Sequence, residues 1–346
     1  AKVDNITFAF ASVGLMTGYS YAAGKFEASL TSTGTIVSGS ISVFNSFTSD
    51  ATTDLTPAAA GVAASLFSAA ANISLAESKS NGKAFISGTG SITTGAVAVT
   101  SRATATAHAV IRGAVVTVGG VVLAVNEAYA NVSAVQNAYI ETVTLSADSV
   151  NVATVFNDSV DTGAIAEVGS NGTGTSVKLS YISGEVSLAQ AFVSATSHAY
   201  IKGASLAVSG AVSVDTTARS YANADILESQ FSLSVYGVTL LSTVSKAEGD
   251  FAAYIDTTGA TLYTGSLTVN TTYYAVATAA VGAAGGLGVS LVSATSNSAV
   301  SSNHVNAKSY ILGSGALTVN GSVNVLTEGY ASSAATGRTR SLRFGR

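Results

Sequence analysis

The stretch YILGSGALTVNGSVNV, residues 310–325, decides the fold of this chain because its polar and apolar residues alternate. Leu317, Val319 and Val325 fall on one side of an extended chain, and the intervening Thr, Asn and Ser residues fall on the other. A period of two is typical of a β-strand with one buried face and one solvent-exposed face. Gly321 lies inside the alternation, where a missing side chain indicates a bulge, a corner or a close approach of a neighbouring backbone.

Five further copies of this stretch precede it, so the chain is a repeat protein with a period near 55 residues. The copies are ASLTSTGTIVSGSISV (28–43), ISGTGSITTGAVAV (86–99), IETVTLSADSVNV (140–152), IKGASLAVSGAVSV (201–214) and IDTTGATLYTGSLTV (255–269).

Two residue positions anchor the repeats. The first is a corner position, usually glycine, with successive spacings of 56, 53, 62, 55 and 56 residues: Gly39, Gly95, Asp148, Gly210, Gly265 and Gly321. The second is an aromatic-isoleucine pair at the start of the last five copies: Phe85 and Ile86, Tyr139 and Ile140, Tyr200 and Ile201, Tyr254 and Ile255, and Tyr310 and Ile311.

The pattern predicts an all-β fold, a parallel β-solenoid of about six repeats, running as one array over residues 1–336. Each repeat holds two short alternating strands followed by two long runs rich in Ala, Ser and Thr. In one such run, residues 102–110, Ala103, Ala105, Ala107 and Ala109 share a face. Small inward side chains favour two closely packed sheets. The pattern leaves open whether a repeat is one broad coil or two to three narrow ones.

A helix competes with this interpretation after DLTPAAA, residues 54–60, where Thr56 and Pro57 fit the first positions of a helix. The segment that follows occupies the same place in its repeat as residues 175–201 and 285–311. Because equivalent places in a repeat share structure, we predict strands there.

Composition excludes several classes of protein. Charged residues make up 10% of the chain and mean hydropathy is +0.44, which is too apolar for a disordered chain. No window is apolar enough to span a bilayer, and the absence of cysteine excludes disulfides and thiolate metal sites. The net charge of −4 argues against a nucleic-acid partner.

No catalytic, cofactor or metal site is predicted, and we do not expect an enzyme. His108, His198 and His304 lie far apart without ligand-like neighbours, and the acidic pair Asp158 and Asp161 has no nearby basic residue in sequence. Serine-hydrolase, dinucleotide-binding and calcium-roll motifs are missing. The basic segment 337–346 fits a processing site, a sorting tail or a solvated linker: Arg338, Arg340, Arg343 and Arg346.

The two ends of the sequence are complementary parts of a repeat. The chain opens in a long-strand half and closes after a short-strand half, and neither end carries the amphipathic cap that solenoids use to cover an edge. We therefore expect head-to-tail continuation, either through copies of the chain or through flanking repeats of a longer polypeptide.

The repeated AYI…G…L.V.G.V.V pattern and the interposed GLGVSLVSATSNSAV resemble the repeat regions of giant bacterial surface proteins, the filamentous-haemagglutinin-like and leukotoxin-like filamentous adhesins. The resemblance implies a secreted or surface-anchored β-solenoid that forms an extracellular filament, with adhesion to host or neighbouring cells as a further role. The alternative is a carbohydrate-binding or carbohydrate-cleaving β-helix. A groove with acids and aromatics from several coils would favour that alternative.

Overall fold

The computed structural model describes residues 7–56, 62–112, 116–159, 162–169, 175–227, 229–282 and 287–337. All regular secondary structure within these ranges is β-strand. The strands form three parallel sheets, which the chain visits in the same order in every repeat. This arrangement confirms the parallel β-solenoid. Each repeat is one broad coil, and the six coils span about 29 Å at about 4.8 Å per coil.

The three sheets differ in strand length. Sheet A holds the long strands β1 (Thr7–Thr31), β4 (Val62–Ser87), β7 (Val116–Glu141), β11 (Thr175–Lys202), β14 (Ser229–Asp256) and β17 (Leu287–Leu312). Sheet B holds the short strands β2 (Thr35–Val37), β5 (Ser91–Thr93), β8 (Thr144–Ala147), β12 (Ser205–Val208), β15 (Thr261–Thr264) and β18 (Ala316–Val319). Sheet C holds β3 (Ser40–Leu55), β6 (Ala96–Ile111), β9 (Ser149–Phe156), β10 (Ala164–Val168), β13 (Ala211–Ile226), β16 (Ser266–Val281) and β19 (Val323–Gly337).

Each coil runs along sheet A, turns through sheet B and returns along sheet C, so sheets A and C face each other. The Ser78 hydroxyl donates to the Ser49 hydroxyl at 2.8 Å, and the Ser74 hydroxyl donates to the Thr53 carbonyl at 3.2 Å. Because β3 ends at Leu55, the first part of each sheet A strand extends past the end of sheet C.

The core has a wide part and a narrow part. Where the three sheets meet, Ile, Val and Leu side chains fill a triangular space, and Ile140, Leu145 and Val152 are at most 1% exposed. Between sheets A and C the buried apolar residues are mostly alanine. The predicted alanine face of residues 102–110 is confirmed, since all four alanines are at most 1% exposed.

A row of buried polar side chains separates the two parts of the core. Ser101, Thr154 and Thr216 are fully buried and stack on one another in sheet C. The Thr154 hydroxyl donates to the Thr216 hydroxyl at 3.1 Å, and the Thr216 hydroxyl donates to the Ala252 carbonyl at 2.8 Å. These hydrogen bonds satisfy the hydroxyls of Thr154 and Thr216 and link sheet C to sheet A.

The division of each repeat differs from the sequence prediction at one point. The second short strand and the first Ala-rich run form one continuous strand, as β6 shows over Ala96–Ile111. The alternation continues through the boundary, so backbone pairing is not interrupted there. Residues 62–87 are strand, as predicted, whereas Pro57 lies outside the described residues.

The third coil contains an insertion, which accounts for part of its longer spacing of 62. Phe156 pairs with Ala103, and Ala164 pairs with Ala107, so eight steps of chain face four in the coil below. Asn157, fully buried at φ 48°, closes the gap. Its side-chain oxygen accepts from the Ala105 amide at 2.8 Å, and its side-chain nitrogen donates to the Ala105 carbonyl at 3.2 Å. The asparagine amide thus replaces a missing peptide group in the ladder.

Candidate functional site

The two ends of the stack expose unpaired strands. Within the described part of the chain, β1 pairs with β4 alone and β17 with β14 alone, and sheets B and C also end in strands with one partner. Most residues of β18 and all but one of β19 are exposed. At each end, the outermost strands of all three sheets therefore expose unpaired backbone donors and acceptors. Such edges can pair with the strands of another chain.

The apolar ladders of the wide core continue into both end coils without a polar substitution. Val269 is fully buried, but Val325, its partner in the last coil, is 46% exposed. The ladders, from first coil to last, are Leu30–Ile86–Ile140–Ile201–Ile255–Ile311, Ile36–Ile92–Leu145–Leu206–Leu262–Leu317, Ile41–Val97–Val150–Val212–Leu267–Val323 and Val43–Val99–Val152–Val214–Val269–Val325.

The glycine corners join sheets B and C, and they lie where the backbones of successive coils approach closely. A Cβ on Gly95 would lie 2.6 Å from the Gly39 carbonyl oxygen, and one on Gly321 would lie 2.7 Å from that of Gly265. Gly210 and Gly265 meet the coil before them in the same way. Gly39, in the first coil, faces open space. No described residue lies close enough to give its lack of a side chain a packing reason.

The aromatic residues of the anchor pairs form one column on the outer face of sheet A. Phe85, Tyr139, Tyr200, Tyr254 and Tyr310 stack with ring centroids 4.8–5.0 Å apart and planes within 6° of parallel. Burial raises the pKa of the Tyr254 hydroxyl to about 12 and also raises that of Tyr200, to which the Glu141 carboxylate adds. The column therefore stays uncharged over the ordinary pH range.

The aromatic column offers little to a sugar ring. Inside the column each ring face lies against a neighbouring ring, so a ligand at its side would meet ring edges and hydroxyls rather than the flat faces on which sugars stack. The single exception in the column is the outer face of Tyr310 at the open end. In the first coil Ser29 pairs with Phe85, and the column ends there. The aromatics therefore gather across five coils without forming a free platform.

The fold brings together charged residues that are distant in sequence. His198 Nε2 lies 3.2 Å from an Asp250 carboxylate oxygen, and the Asp158 carboxylate lies 3.6 Å from the Arg102 guanidinium. Asp158, which has no basic neighbour in sequence, thus pairs with Arg102 across coils, and both side chains stay about half exposed. Both partners lie in the adjacent coil, so the repeat register could have identified them. Asp161 lies outside the described residues.

The two other histidines lie on different sheets. His108 is partly exposed on sheet C, and His304 is exposed on sheet A. The described residues contain no cluster of three metal-ligating side chains and no helix that could cross a lipid bilayer. The basic tail lies outside the described residues: Arg338, Arg340, Arg343 and Arg346.

Comparison with protein-family models, with curated proteins and with solved structures gave no match.

Proposed function

We propose that this chain is a structural protein of an extracellular or cell-surface fibre, which lengthens by end-to-end stacking of its coils. The coil docked at each end belongs to a second copy or to flanking repeats of a longer polypeptide. Such a fibre is of the kind that filamentous-haemagglutinin-like surface proteins form from their repeat regions, and adhesion to a cell surface is its further role.

One observation carries the proposal: the last coil and the first coil present the same apolar residues at matched positions. If the ladders continue from one copy into the next, Ile311 would pack on Leu30 of the next copy, Leu317 on Ile36, and Val325 on Val43. Docking would bury side chains such as Val323, which is 48% exposed. Burial of apolar surface and pairing of free backbone groups both favour this contact.

Two further features fit the same register. Lys308 continues the ladder that begins at Glu27, so the two opposite charges would meet at the junction. An exposed pair adds little free energy, but it distinguishes this order of the ends from others. The carbonyl of Gly321 would approach Gly39, which supplies a packing reason that the described residues of a single copy do not give.

Substitution of an inward residue in the last coil tests the proposal. Ala307 packs against the core from the open edge. In Ala307→Lys the ammonium group reaches water past the edge of a free end, but a docked coil would bury it. His304→Lys is the matched control, because His304 is exposed on the outer face of the same strand.

Electron microscopy of the purified proteins gives the readout. The unsubstituted chain and His304→Lys are expected to form filaments with an axial repeat of about 29 Å and a fibre reflection near 4.8 Å. Ala307→Lys is expected to remain as short units that do not lengthen end to end, with an unchanged circular dichroism spectrum. Filaments of normal length from Ala307→Lys, or none from the unsubstituted chain at high concentration, would overturn end-to-end stacking between copies.

A further inference from the structure

The outer face of sheet A near the start of its strands carries a continuous apolar surface, which we call the apolar face. It lies on the part of the sheet that extends past sheet C. Its large side chains are well exposed: Leu123 is 51% exposed, Tyr181 56%, Val238 48% and Leu15 70%. Its outward residues are Phe10, Ala11, Val13, Leu15, Leu66, Phe67, Ala69, Ala71, Val121, Leu123, Val125, Tyr181, Ile182, Val186, Val235, Tyr236, Val238, Leu240, Leu291, Val292 and Ala294, with Gly120, Gly184 and Ser296.

A shared irregularity of the strands enlarges this face. Ser65 pairs with Gly119 and Phe67 pairs with Val121, but Leu66 has no ladder partner. Ser65 and Ser68 are 8% and 7% exposed, so the two residues between them both point outward, and the Ser65 hydroxyl donates to the Phe67 carbonyl at 2.8 Å. The same step is missing from the pairing of the other sheet A strands. Each strand thus presents two consecutive residues outward at the same step, in register with its neighbours.

The size of the apolar face is that of an interface. About seven residues at 3.3 Å by six strands at 4.8 Å give about 23 Å by about 29 Å, or about 670 Å². Monomeric proteins rarely leave patches of more than a few hundred Å² uncovered. A stable contact between two proteins takes about 800 Å² from each partner. One apolar face therefore supplies most of the area that a dimer needs.

The chemistry of the face favours a second copy as its occupant. None of its residues is charged, so it offers no ion pair to a charged partner. Glu127 stands at its margin on the same side of β7, and an acidic margin disfavours an anionic lipid surface. A second apolar face has the same 4.8 Å strand spacing and the same absence of charge, and two such sheets can pack face to face about 10 Å apart.

We propose that two copies of this chain associate side by side through their apolar faces, related by a twofold axis. The contact is separate from end-to-end stacking and uses a different surface. In a fibre the apolar face would repeat in every unit, so each added unit would strengthen the lateral contact through multivalency. The proposed fibre is then a pair of laterally joined solenoids.

Two valines of one strand provide a matched test. Val125 and Val135 both point outward on β7 and are 39% and 38% exposed, but only Val125 belongs to the apolar face, between Ala71 and Val186. Val125→Lys would bury an ammonium group twice in the twofold contact. Val135→Lys adds the same charge outside it.

Sedimentation in the Ala307→Lys background isolates the lateral contact. Ala307→Lys alone is expected to form dimers, and so is the double variant Ala307→Lys with Val135→Lys. The double variant Ala307→Lys with Val125→Lys should have a dimer dissociation constant raised on the order of 100-fold. Dimers that Val125→Lys leaves unchanged, or a monomeric Ala307→Lys at about 100 µM, would overturn the proposal. The proposal would also be overturned if the protein stayed monomeric and sedimented with neutral phosphatidylcholine vesicles, and if Val125→Lys abolished that sedimentation.

Filaments of the otherwise unsubstituted chain provide a second reading that does not need Ala307→Lys. Here Val125→Lys should halve filament width without shortening the filaments, and Val135→Lys should leave both unchanged. Loss of length reports on end-to-end stacking, and loss of width reports on the lateral contact. Failure of one proposal is therefore distinguishable from failure of the other.

Discussion

The interior coils and the two end coils carry the same inward residues, yet only the interior coils bury them. Val269 is fully buried in the fifth coil, and Val325, one step along the same ladder, is 46% exposed in the sixth. An apolar residue therefore occupies each of these ladder positions whether or not another coil of the same chain buries it. At the ends, complete burial requires a neighbour from outside the six coils.

The largest expected effect on stability is the difference between substituting an interior isoleucine and substituting its counterpart in the last coil. Ile201 is 2% exposed between two coils, whereas Ile311 packs against one coil only. Ile201→Ala should lower the free energy of unfolding by about 3 kcal/mol, and Ile311→Ala by about 1 kcal/mol, because its cavity opens to water. Urea denaturation at low protein concentration measures both. Equal losses would contradict the distinction between the coils.

The glycine corners provide a smaller and sharper contrast. Gly95→Ala places a Cβ about 2.6 Å from a carbonyl oxygen and should destabilise the fold by about 2 kcal/mol, because backbone must move. Gly39→Ala meets open space and should leave thermal stability unchanged. In filaments the same Gly39→Ala should impair end-to-end stacking, measured as filament length. A destabilised Gly39→Ala monomer would show that the corner needs glycine for another reason.

The smallest effect concerns one acid inside the stack. Burial, together with the Glu167 carboxylate in the adjacent coil, raises the pKa of Asp225 from 3.8 to about 6. Because the folded state favours the protonated form, stability from this group is present below pH 3.8 and is lost as the pH rises through about 6. Asp225→Asn should stabilise the protein by about 1 kcal/mol at pH 7, a value reduced for solvent screening of this partly exposed group.

Thermal melts at pH 3.5 and pH 7 measure this difference. The Asp225→Asn advantage should appear only at pH 7, and Glu167→Gln should reproduce part of it. An advantage that persists at pH 3.5 would show that the carboxylate charge is not its cause.

Much of the architecture follows from the sequence alone, because a parallel stack repeats one environment at each ladder position. The period of two identified the inward faces, as Ala105 and Ala107 illustrate, and the repeat spacing identified the coils. The register between coils also follows, since Tyr139 pairs with Tyr200 and Ile140 with Ile201.

Other features could not be predicted, because they depend on how one coil folds back on itself. Alternation does not reveal that sheet A is longer than sheet C, so the apolar face was not recognised. Alternation also cannot locate a turn, so the sequence predicts a break between two strands where the structure has the single strand β6. The spacing of 62 signalled an extra segment, but only the structure shows that Asn157 closes the ladder around it.

The insertion in the third coil shows how this fold absorbs a change in chain length. A single side chain, Asn157, supplies the hydrogen bonds that Ala105 of the neighbouring strand β6 would otherwise lack, and Ala164 resumes pairing in step with both neighbours. Coils above and below keep their relative positions. Segments can therefore be added at the flank of such a rod while its length and its termini stay the same, which makes this position suitable for grafting a foreign peptide.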